Sequence, residues 1–161
     1  MIRAVSAIAI ALLATVLILS RCTPITANEL IRASAAGNLP QVQQLITRFD
    51  VNAGAFDSGE TALIAAVANG HDEVVAFLLS NGADVNLSDA GGTPLFWAAF
   101  QGHAATFELL RTRGARLNAD EKAVARLISD LNDKGHYRLR AAVEQAAKEE
   151  SAGSTGWRWS P

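Results

Sequence analysis

Asp57-Ser-Gly-Glu-Thr-Ala-Leu-Ile-Ala-Ala-Val-Ala-Asn-Gly-His71 returns further along the chain as Asp89-Ala-Gly-Gly-Thr-Pro-Leu-Phe-Trp-Ala-Ala-Phe-Gln-Gly-His103, an offset of 32 residues. The downstream halves repeat at the same offset. Val75 to Leu79 and Asn81-Gly-Ala-Asp-Val-Asn86 pair with Phe107 to Arg111 and Arg113-Gly-Ala-Arg-Leu-Asn118. A fixed period of this size is the mark of a stacked array, in which each unit buries its apolar face only against its neighbours. One unit reads as two helices. Thr93 is placed to cap a first helix with Pro94 at its first position, where a missing N–H costs nothing. Gly102 turns the chain, His103 opens a second helix with Phe107, Leu109 and Leu110, and Gly114 ends it where a left-handed residue is needed. Helices of about ten residues are marginal alone, so the stack supplies the stability.

Thr93-Pro94-Leu95, Gly102-His103 and Gly82-Ala83-Asp84-Val85-Asn86 together resemble the ankyrin repeat, several spaced signatures agreeing at once. Asn28 to Gly37, with Val42, Leu45 and Ile46, looks like a first repeat, with Asn38 in the histidine position and no Gly-Ala before Asp50-Val51-Asn52. Asp120 to Asp133, then Gly135-His136 and Leu139 to Ala146, looks like a fourth repeat without the Thr-Pro-Leu start. Atypical ends are expected, because one face of each terminal repeat meets water. The fold expected is therefore all-α, an ankyrin-repeat solenoid of about four helix-turn-helix repeats at 28–56, 57–88, 89–119 and 120–150, joined by hairpin-like loops. Both central repeats are one residue short between Asp and Thr, so their loops should depart from the family's usual conformation.

Ahead of the repeats, Ala4 to Leu19 carries no charge and is flanked by Arg3 and Arg21. As a helix, sixteen residues span roughly 24 Å, short of a hydrocarbon core of about 30 Å. Residues 1–27 therefore read as a signal peptide cut after Ala27, with an uncleaved membrane anchor as the alternative. Cys22 follows Leu19-Ser20-Arg21, which is similar to a bacterial lipid-attachment box except that Arg21 stands where a small residue is required. Without the leader the chain has no cysteine, which suits an oxidising compartment. Residues 151–161, ending in Trp157-Arg158-Trp159, read as a tail.

Half of the residues are hydrophobic and only 19% are charged, which excludes wholesale disorder. A net charge of -2 argues against a general nucleic-acid binder. The charge is uneven: Asn28 to Leu109 holds 2 basic and 9 acidic residues, Leu110 to Pro161 holds 10 and 7. No nucleophile elbow, phosphate loop or dinucleotide fingerprint is present. His71, His103 and His136 fall at equivalent positions of successive repeats, about 8–10 Å apart as packed helices, too far to share one zinc ion with ligands at about 2 Å. The resemblance implies that each imidazole bonds backbone at its turn. Neither a catalytic residue, a metal site nor a cofactor is expected.

A helical wheel at about 100° per residue turns Leu95, Ala98 and Ala99 to the core and Trp97 and Phe100 away from it, with Phe96 on the flank. In ankyrin stacks that opposite face lines a concave groove, so the resemblance implies that Trp97, Phe100 and Gln101 meet a partner. The same wheel positions in the other repeats are Arg32 and Ala35, Ala65 and Ala68, and Asp130 and Asp133. They describe a groove with an alanine floor (Ala65, Ala68), an aromatic wall (Phe96, Trp97, Phe100) and an acidic end (Asp130, Asp133). The function expected is a non-catalytic protein-binding module, exported to the periplasm, holding an envelope enzyme or a toxin. A membrane-anchored organising protein using the leader and the tail is the alternative.

Overall fold

The computed structural model describes residues 27–55 and 57–153, which fold as four successive helix pairs. They are α1 (Ala27–Ala35) with α2 (Leu39–Leu45), α3 (Ala62–Ala68) with α4 (Asp72–Ser80), α5 (Pro94–Gln101) with α6 (Ala104–Thr112), and α7 (Glu121–Asp133) with α8 (Tyr137–Gly153). First helices pack on first helices in the order α1, α3, α5, α7, and second helices on second helices through α2, α4 and α6. This gives two layers with one continuous core between them. Its largest fully buried side chains include Leu30, Leu63, Leu78, Leu95, Phe107, Leu110 and Leu127. Each stabilises the stack by roughly 1.5–3 kcal/mol relative to exposure. Among the described residues no helix is long and apolar enough to cross a membrane. The leader and Trp157-Arg158-Trp159 lie outside the described residues.

The repeat signatures act as their positions predict. Thr61 and Thr93 cap α3 and α5, their hydroxyls accepting from the backbone N–H of Ile64 at 3.2 Å and Phe96 at 3.3 Å. Thr93 also donates to the carbonyls of Arg116 at 2.8 Å and Leu117 at 3.0 Å, so one hydroxyl starts a helix and ties it to the loop that closes the same repeat. In the fourth repeat, which lacks the threonine, Asp120 caps α7 by accepting from Ala123 N–H at 2.7 Å. Gly102 and Gly114 stand at φ +83° and +80°, the left-handed region that ends a helix at least cost in glycine.

Histidines and asparagines stitch repeat to repeat. His71 Nε2 bonds the Ala35 carbonyl at 2.9 Å, and His103 Nε2 bonds that of Ala68 at 3.2 Å. His136 lies against Gly102, and the carbonyl of Phe100, the equivalent of Ala35 and Ala68, is instead approached by Lys134 Nζ at 3.5 Å. Asn52 accepts from Asp84 N–H at 2.8 Å and donates to Gly82 O at 3.2 Å; Asn86 does the same with Arg116 N–H at 2.8 Å and Gly114 O at 3.3 Å. The ladder changes at its last rung. Helix α8 has no glycine where α4 and α6 end, so it runs on to Gly153, beyond the boundary at 150 expected from sequence. Its Glu150 carboxylate returns to accept from the N–H groups of Leu117 at 2.5 Å and Asn118 at 3.1 Å, with Asn118 itself at φ +44°.

The shortened loops are closed by side chains. Asp89 Oδ1 accepts from Gly91 N–H at 2.8 Å and Gly92 N–H at 2.9 Å, whereas in the preceding loop Asp57 caps Ser58 N–H at 3.0 Å and Ser58 Oγ takes Glu60 N–H at 3.2 Å. Equal length has produced two different turns because only the second loop has paired glycines.

Candidate protein-docking face

The candidate site is the side of the first-helix layer that the second helices do not cover, centred on α5. Leu95, Ala98 and Ala99 are fully buried, as the wheel requires. On the other side Phe100 is 39% exposed, the one large hydrophobic besides Tyr137 that stands in solvent to this degree among the described residues. Phe96 and Trp97 are half-buried beside it. The Phe96 and Phe100 rings stack with centroids 6.3 Å apart and 12° between planes, and Trp97 meets Phe100 edge-on at 5.8 Å and 90°. Such pairings are worth about 0.5–1.5 kcal/mol beyond burial, so the three rings hold one another in a fixed strip.

The strip is anchored at its loop end. Trp97 Nε1 donates to Asp89 Oδ1 at 3.0 Å, making three N–H donors on a single carboxylate oxygen. The indole lies so near Gly91 that a Cβ there would come within 2.5 Å of Cζ2, and one at Gly92 within 2.9 Å of Phe96 Cδ1. The two glycines are what allow bulky rings beside a tight turn. At the other end Lys134 Nζ sits 5.5 Å from the Phe100 ring centroid, a cation–π contact.

The remaining residues of the expected groove divide. Gln101 and Arg32 are exposed, Ala68 and Ala35 are half-buried, and Asp130 and Asp133 are exposed on α7. Ala65 is a correction: it is fully buried, with Ile64 beside it at 1% exposure, so it is no floor for a ligand. Its methyl group lets α1 and α5 close over α3 from both sides. The acidic end is also modified, since Lys134, next to Asp133 in the chain, lies over the Phe100 ring. Sequence reasoning missed Lys134 and Asp89. Lys134 precedes the Gly-His pair of an irregular repeat, and Asp89 matches Asp57 in the alignment yet acquires its extra donor only because Trp97 is nearby.

A cluster of like charge sits at the loop end. The loops at 49–61 and 81–93 touch, Ala90 N–H donating to Ser58 O at 3.4 Å. Burial first, and then the carboxylates of Asp89 and Asp57, hold the Glu60 carboxyl above the ordinary glutamate range. Among the described residues no three His, Cys, Asp or Glu side chains are grouped to hold a metal ion. A separate hollow of about 770 Å³ lies between the ends of α6 and α8. Among its charged groups Arg111 pairs with Glu149 at 3.0 Å and Glu150 accepts from two backbone N–H groups.

The helix pairs, capping threonines, bridging histidines and asparagine ladder agree with the comparison to known families, in which the model of ankyrin repeats matches residues 30–121 in three copies. The chain belongs to the ankyrin-repeat family. Among curated relatives it is 42% identical over 62 residues to the ankyrin repeat and SAM domain-containing protein 6 of Rattus norvegicus. That stretch is 38% of this chain and 7% of the rat protein, so the likeness is one of repeats. The helix pair α7–α8 lies almost wholly beyond the matched residues, which is why its cap and its turn are its own.

Proposed function

We propose that this ankyrin-repeat protein is an exported, non-catalytic module that holds a protein partner, an envelope enzyme or a toxin, on the face of α5. Ankyrin repeats generally mediate protein–protein interaction. The observation that carries the reading is the Phe96–Trp97–Phe100 strip, with Phe100 exposed at the centre of the first-helix layer. A large apolar ring kept in water by rigid neighbours is the kind of residue that supplies binding energy when a partner covers it. Export is supported by the uncharged run from Ala4 to Leu19.

Phe100→Ala tests the face more cleanly than a Trp97 substitution, because Trp97 also holds the Asp89 loop. The variant should lose the protein that native bait enriches from envelope extract while costing no more than about 1 kcal/mol of stability. The same proteins on both baits would sink the docking reading. Intact mass of the purified protein addresses export: loss of 27 residues supports the free exported module, and a retained leader favours the membrane-anchored alternative.

A further inference from the structure

The docking strip is electrically lopsided, and this bears on what it holds. The loops at 49–61 and 81–93 carry Asp50, Asp57, Glu60, Asp84 and Asp89 and not one Lys or Arg. Asp50 and Asp84 turn back to their own chain, each accepting a backbone N–H two residues on, from Asn52 and Asn86 at 2.9 Å. Asp57 and Asp89 also accept local N–H groups, but together with Glu60 they form one patch, since the loops touch through Ala90 and Ser58 and Gly59 lies against Asp89. The aromatic strip begins at this patch, where Trp97 bonds Asp89, and runs along α5 to Phe100. There the sign changes: Lys134 stands over the ring. From Thr93 to Phe100 is seven residues of helix, about 10 Å.

Building on the docking reading, we propose that the strip takes a protein segment with an apolar side chain on Phe100 and basic side chains lying toward Asp57 and Glu60. In an extended segment at about 3.3 Å per residue, 10 Å sets the basic residue about three positions from the apolar one. The reverse orientation brings the basic group against Lys134 and leaves the acidic patch uncompensated, so the charges fix direction as well as affinity. A basic partner side chain also relieves the repulsion among the three carboxylates, which no cation of these two loops does.

The test uses the full chain in non-ionic detergent and two fluorescein-labelled octapeptides, followed by anisotropy. One peptide carries two arginines at one end and a leucine three positions along; the other has glutamates in place of the arginines. The basic peptide should bind at least tenfold more tightly, and the preference should fall below threefold in 0.5 M salt and in the Asp57→Asn, Glu60→Gln double variant, which spares the Asp89 bonds. Phe100→Ala should weaken both peptides. Equal binding of the two, still lost in Phe100→Ala, overturns the charge assignment and keeps the docking face. Absence of binding, or binding indifferent to Phe100→Ala, overturns both.

Discussion

Helices α3 and α5 occupy the same place in successive repeats and read almost alike, yet one is structure throughout and the other is half surface. In α3 every residue from Ala62 to Val67 is buried. In α5 the positions of Ile64 and Ala65 are taken by Phe96 and Trp97, and Ala68 becomes Phe100. The cap, the glycine turn and the bridging histidine are identical in role, so the backbone is indifferent to the exchange. Size decides what happens next. Alanine at 65 permits its neighbours to close over the helix, whereas three rings at 96, 97 and 100 cannot all be enclosed and instead form a strip of their own. An ankyrin repeat keeps its backbone signatures fixed and varies the positions that those signatures leave free.

The comparison can be broken most forcefully by moving one ring. Ala65→Trp puts an indole into a site with no room and no paired glycines beside it, and overpacking should cost about 3 kcal/mol, read as a large drop in denaturant midpoint. A stability loss under about 1 kcal/mol would mean that α3 can open as α5 does. Next come the two capping threonines. Thr61→Ala removes a cap, about 1 kcal/mol, while Thr93→Ala removes the cap and also the bond to the Arg116 and Leu117 carbonyls, about 2 kcal/mol in all. Equal losses would show that the bonds from the Thr93 hydroxyl to Arg116 and Leu117 add nothing.

Most of the fold was legible because it is written in residues with special backbone duties. Thr93, Pro94, Gly102, His103 and Gly114 each announce a cap, a turn or a bridge, and their recurrence at a fixed offset leaves few alternatives. The direction of Leu95, Ala98 and Ala99 followed from helical spacing alone. What the spacing could not supply was the reach of side chains across repeats. A wheel treats Ala65 as solvent-facing, because it does not contain the helices on either side. It places Trp97 outward, which is right for the bond direction, but cannot show the indole folding onto Gly91 to meet Asp89. Lys134 and Glu150 come from the fourth repeat, where the motif is worn away and long flexible side chains do what His and Asn do elsewhere.

The smallest effect concerns the loop end of the strip, where the first loop has Glu60 and the second has Gly92. Glu60 is held above its ordinary range by burial and by Asp89 and Asp57, so the folded state binds its proton more tightly than the unfolded chain does. Stability therefore falls as pH rises from the ordinary glutamate range through the folded-state value, and the deficit persists at neutral pH. Glu60→Gln removes the charge and keeps the shape, so it should stabilise the protein at pH 7. The gain should be under about 1 kcal/mol, since the group is partly solvated and screened. It should vanish once the pH is taken below the ordinary glutamate range, where the native side chain is protonated in both states. A thermal melt series across pH measures both parts. A gain that stayed constant down to acid pH would mean that the introduced amide helps by packing or hydrogen bonding, and that the two loops do not repel.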